Sequence, residues 1–84
     1  MKNEYLQEQD FFRTSDFPLI VTLNLSLPIE GIDFTNSQRF QFIFRRTEQL
    51  ENLLEGYYRK ELRVEPEAYY YAIKGIKARI HSQS

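Results

Sequence analysis

The stretch TSDFPLIVTLNLSL, residues 14–27, supports two incompatible readings, and the fold depends on which holds. Val21, Leu23, Leu25 and Leu27 alternate with Thr22, Asn24 and Ser26, which is the pattern of a strand with one apolar face. Val, Ile and Thr also favour extended backbone, so periodicity alone leans towards a strand. The opening residues argue the other way. Ser15-Asp16 has the chemistry of a helix cap, and Pro18 is tolerated in a first helical turn. On a helix, Phe17, Ile20, Val21, Asn24 and Leu27 would share one side. Pro28 ends the element on either reading.

Downstream, IEGIDF and RFQFIFR are β-rich runs separated by the polar turn formers TNSQ, which predicts a β-hairpin. Phe40, Phe42 and Phe44 fall on one face of the second strand, opposite Ile32 and Phe34, while Gln41, Ile43 and Arg45 point the other way. A lone hairpin is marginal in water, so its Phe face needs a cover of helices. Thr47 caps a helix through EQLENLLEGYYR, with Glu48 in its first turn and an apolar stripe of Leu50, Leu53, Leu54, Tyr57 and Tyr58. Gly56 costs that helix about 1 kcal/mol. A short extended link leads to a last helix that Pro66 opens and Glu65 caps. Its core stripe is Tyr69, Ala72, Ile73, Ile76 and Ile80. Residues 1–10 show no periodicity and read as a flexible tail; residues 11–82 read as a single domain.

Four fragments taken together, FFRTSDFPLIVTL, RFQFIFRRTEQLENLLEGYY, LRVEPEAYYYAIKGIK and RIHS, resemble a family of small bacterial and phage proteins known as domain of unknown function 5659. The resemblance spans Phe11 to Ser82. It implies that the segment after Thr14-Ser15-Asp16 is a helix, and hence an α+β fold in the order α-β-β-α-α, a β-hairpin covered on one face by three helices. Ile20, Val21, Thr22 and Asn24 depart from the Ala- and Leu-richer composition typical of the family at this point. The resemblance brings no activity, substrate or partner.

The chain has 84 residues, no cysteine, one histidine and a net charge of −1. That removes disulfides and thiolate metal sites, and His81 alone does not make a transition-metal site. Glu48, Glu51 and Glu55 are spaced to line one side of a helix, but three acids near a helix start are the pattern of a solvated face. Three isolated glycines form no phosphate loop, and Ser15 lacks a nucleophile-elbow context. No catalytic residue, cofactor, metal or small-molecule ligand is expected. The acidic, polar N-terminus does not fit a secretory signal, and the run FPLIVTLNLSLPI is too short and polar to span a bilayer, so a cytoplasmic location without membrane contact is expected.

Charge is unevenly spread: residues 1–33 carry six acids and two bases, a net of −4, and residues 34–84 carry six acids and nine bases, a net of +3. Two binding surfaces follow. Arg45, Arg46, Lys74 and Lys77, with Tyr70 to stack on a base, would make a nucleic-acid contact if they converge on one face. Tyr71, Gly75 and Ala78 share the outer side of the last helix and leave room for another backbone, as in a homodimer or a contact with another protein. The protein-interaction reading is preferred. The alternative is a weak nucleic-acid-binding accessory protein of a mobile element.

Overall fold

A computed structural model describes residues 7–83. The elements run β1 (Phe11–Thr14), α1 (Phe17–Asn24), β2 (Gly31–Asp33), β3 (Gln41–Arg45), α2 (Glu48–Tyr58) and α3 (Pro66–Gln83), after a single 3-10 turn at Glu8–Asp10. The class is α+β, and the helix–strand–strand–helix–helix succession holds from α1 onward. Two additions precede it. The Glu8–Asp10 turn falls inside the expected tail, whose residues 1–6 lie outside the described residues. Strand β1, unforeseen in the sequence, turns the hairpin into a three-stranded antiparallel sheet of order β1-β3-β2.

The stretch that opened the question is a helix. Thr14 Oγ1 accepts the Asp16 N–H at 3.0 Å, which turns the chain out of β1. The Asp16 carboxylate then caps α1 by accepting the Leu19 N–H at 3.4 Å. Ser15 is no cap; its hydroxyl donates to the Phe40 carbonyl at 2.9 Å and pins this turn to the start of β3. The alternation that mimics a strand has no counterpart in the burial of the side chains. Leu19, Ile20, Val21, Thr22 and Leu23 are all buried, five consecutive positions around the whole helix circumference. Thr22 can be buried because its hydroxyl donates to the Pro18 carbonyl one turn back, at 2.8 Å. A helix enclosed on every side has no polar face, and therefore no 3.6-residue period to detect.

The enclosure has three walls. From the sheet come Phe42 and Phe44, from α2 Leu50 and Leu54, and from α3 Ile76; all are buried with the α1 residues in one core. Phe12 and Ile32 extend it from β1 and β2, in register with Phe44 and Phe42 respectively. Phe40 lies just before β3 and packs edge-to-face on Phe34, with ring centroids 4.7 Å apart. The cap of α2 is as expected, with Thr47 Oγ1 accepting the Leu50 N–H at 3.1 Å. Glu65 caps α3 with both oxygens, taking the Ala68 N–H at 2.7 Å and the Glu67 N–H at 3.2 Å. Tyr58 departs from the expected stripe: it is 64% exposed, while Tyr57 packs against the core.

The end of α2 explains Gly56. Lys60 adopts a left-handed φ of 60°, the Lys60 N–H bonds the Tyr57 carbonyl, and the Glu61 N–H bonds the Gly56 carbonyl. These are the two bonds of a Schellman ending, which folds the chain back over the last turn. Leu62 thereby lands on Gly56, where an added Cβ would stand 2.8 Å from Leu62 Cδ2.

Candidate functional site

Alternation along the strands divides the sheet into two faces. Phe12, Phe42, Phe44 and Ile32 point to the helices. Phe11, Arg13, Gly31, Asp33, Gln41, Ile43 and Arg45 form the opposite face, which none of α1, α2 and α3 covers. There Phe11, Gly31 and Ile43 floor a shallow depression of about 420 Å³, ringed by Glu8, Arg13, Glu30 and Arg45. Arg13 Nη1 reaches Asp33 at 3.2 Å and Arg13 Nε reaches Glu8 at 2.7 Å. Since Arg13 and Asp33 sit on the two outer strands, their ion pair crosses over the middle one. Arg45 stands 3.9 Å from Glu30, its guanidinium 5.9 Å from the Phe11 ring centroid. The charges of this face are thus of both signs and matched to one another.

Asp33 shows what the matching does. Its carboxyl is held below the ordinary carboxylate value of 3.8, first by hydrogen bonds from Thr35 and then by Arg13. A depressed folded-state pKa stabilises the fold above the unfolded-state value and stops doing so as pH falls through the folded one. The urea midpoint should therefore hold from neutrality to about pH 4 and drop below it, and Asp33→Asn should flatten part of that acid slope. Equal slopes for both proteins in urea titrations at pH 5 and pH 3 would contradict this assignment.

The five residues expected to meet nucleic acid do not gather. Arg45 belongs to the uncovered face of the sheet. Arg46 turns to the helix side, over the Phe12 ring at 5.4 Å and 2.6 Å from Glu51 of α2. Lys74 and Tyr70 do meet, with the ammonium 5.4 Å from the ring centroid. They lie with Lys77 on the exposed side of α3, in the helical layer on the far side of the sheet from Arg45. Phosphate contact at Arg45 or Arg46 would have to break an existing ion pair, and a shared electrostatic footprint is missing. The three acids of α2 are likewise accounted for: Glu51 pairs with Arg46, Glu55 with Arg59 at 2.7 Å, and Glu48 occupies the first turn. Among the described residues no group of His, Cys, Asp and Glu is placed to hold a metal ion, and no helix is long and apolar enough to cross a membrane.

The residues of the expected protein contact do share a side. Tyr71 is 63% exposed, Gly75 and Ala78 are exposed, and all three follow one another along the outer flank of α3. Gly75 differs from Gly56 in one respect that matters. A Cβ added at Gly75 would meet nothing within 4 Å among the described residues.

A second surface escaped the sequence reading. Where α2 turns into the link to α3, a cavity of about 410 Å³ is lined by Thr22, Tyr57, Tyr58, Lys60, Leu62 and Val64. Tyr57 is half-buried there, and burial, followed by the nearby charge of Asp16, raises its phenol pKa above 10.0. Tyr58 and Val64 at its rim are exposed large apolar side chains. The chain reversal at Lys60 builds this cavity, and lysine gives no hint of a left-handed residue. A search of family models, curated proteins and solved structures for a relative of this chain returned no match.

Proposed function

We propose that the chain is a cytoplasmic, non-catalytic protein-interaction module that docks through the Tyr71–Gly75–Ala78 flank of α3, with a second copy of itself as the partner. The same proposal includes kinship with domain of unknown function 5659; the helix after Thr14-Ser15-Asp16, which that resemblance implied, supports it. The carrying observation is Gly75. A glycine inside a helix costs about 1 kcal/mol relative to alanine. At Gly56 the fold itself accounts for the glycine, because Leu62 occupies the space of its Cβ. At Gly75 the space is open, so nothing among the described residues accounts for it. A second backbone approaching between Tyr71 and Ala78 does, since it needs the missing methyl, and the exposed tyrosine beside it is a favourable contact anchor.

Gly75→Ala separates the two roles. It should stabilise the isolated protomer by about 1 kcal/mol, a rise in melting temperature of roughly 4–8 °C at low concentration. At high concentration it should weaken self-association by about tenfold or more, as read by analytical ultracentrifugation. A wild-type chain that stays monomeric at millimolar concentration would exclude the homodimer. The alternative of weak nucleic-acid binding retains one supporting contact, Lys74 over Tyr70, with Lys77 alongside. It requires retention on single-stranded nucleic acid that falls with added salt and disappears in Lys74→Ala.

A further inference from the structure

The cavity beside the α2–α3 link combines three properties. First, its lining residues combine the apolar Leu62 and Val64 with two tyrosines, Tyr57 and Tyr58, and one basic residue, Lys60. Second, Lys60 occupies a left-handed backbone position, with φ 60°, that glycine or asparagine would fill with less strain. Strain kept at a cavity wall points to a use for the side chain that incurs it. Third, two of the wall residues run on past the mouth: Tyr58 is 64% exposed and Val64 41% exposed. A ligand that fits inside the cavity leaves these wet, whereas a chain leading out of it covers them.

We propose that this cavity receives the C-terminal residue of a partner protein. The terminal side chain is apolar and packs on Leu62 and Val64. The terminal carboxylate takes its charge complement from the Lys60 ammonium and hydrogen bonds from the tyrosine hydroxyls. The preceding residues lie across Tyr58 and Val64 on their way out. Capture of a terminal carboxylate is a recurring mode of peptide recognition, and a charge-assisted hydrogen bond from a cation is among its stronger contacts. This surface is separate from the α3 flank and stands whether or not that flank forms a dimer.

The test uses three probes on the whole chain, followed by amide chemical shifts: a short peptide ending in a free leucine, the same peptide amidated, and N-acetyl-leucine as a small acid. The free-acid peptide should perturb Thr22, Tyr58, Lys60, Leu62 and Val64 in a saturable way, with affinity about tenfold above the amide. It should bind the Tyr71→Glu variant as well as the wild type. Lys60→Gly should raise the melting temperature by about 4 °C, because it relieves the left-handed residue, and yet lose the preference for the free acid. Lys60→Arg should keep that preference. Equal binding of acid and amide, or Lys60→Gly binding like the wild type, would overturn the proposal. So would the absence of saturable shifts up to roughly 10 mM peptide. N-acetyl-leucine binding as tightly as the peptide would overturn the protein terminus as the source and leave a free small acid in its place.

Discussion

Ile20→Asp and Val21→Asp should each abolish the cooperative unfolding transition. These neighbours are 1% and 0% exposed and project about 100° apart from a helix whose circumference is buried. A short carboxylate at either place reaches neither water nor a cation of the core and costs several kcal/mol. A domain of this size has a total stability of only about 4–12 kcal/mol. The pair is informative because a strand would respond differently. On a strand, adjacent side chains face opposite ways, so one of the two aspartates would be tolerated. Circular dichroism and thermal melts of both variants read the answer, and a folded, cooperatively melting protein from either substitution would contradict the enclosed helix.

Phe44→Ala should be the most costly truncation of the sheet, at about 3–5 kcal/mol. Phe44 is fully buried at 0% exposure, the largest such side chain, on the strand that pairs with both of the others. Removing its ring leaves a cavity in the one core that the sheet shares with α1, α2 and α3. Ile43→Ala, one residue away on the uncovered face, should cost less than half as much, because Ile43 is only partly buried. Urea denaturation of the two variants provides the comparison. Similar losses would mean that the uncovered face is packed in solution, as it would be against a partner.

The parts of the fold that were legible in the sequence are those whose determinants are local. The Thr47 and Glu65 caps, Pro66 at the start of α3, the stripe through Ile73 and Ile76, and the inward Phe42 and Phe44 all follow from neighbours a few residues apart. Helix α1 needed the family resemblance, because enclosure erased its period and left an accidental alternation. Strand β1 was illegible for a different reason. Its four residues pair with a strand far along the chain, and FFRT contains no alternation long enough to see. The same distance hid the ion pairs of the uncovered face: Arg13 and Asp33 meet only because β3 brings β1 and β2 to either side of itself. The basic residues of the expected nucleic-acid contact look like a cluster in sequence. Arg45 and Arg46 are adjacent, and adjacency at a strand end is what sends them to opposite faces. Lys60 could not have been singled out as the hinge of a cavity, since left-handed positions announce themselves only when glycine or asparagine occupies them.

The strand order also sets a sequence of events. The middle strand of the sheet is the last of the three to leave the ribosome, so β1 and β2 have no hydrogen-bonding partner until Gln41–Arg45 arrives. Pairing of β2 with β3 closes a short loop; pairing of β1 with β3 must close one that contains all of α1. Loop entropy favours the first step, which makes β1 the late arrival in folding and the first strand to peel away in unfolding. Substitutions in β3 should then slow refolding, while those in β1 should mainly hasten unfolding. A chain released before residue 45 would hold β1 as an unpaired extended segment, with Phe11 and Phe12 open to any sheet edge that reaches them first.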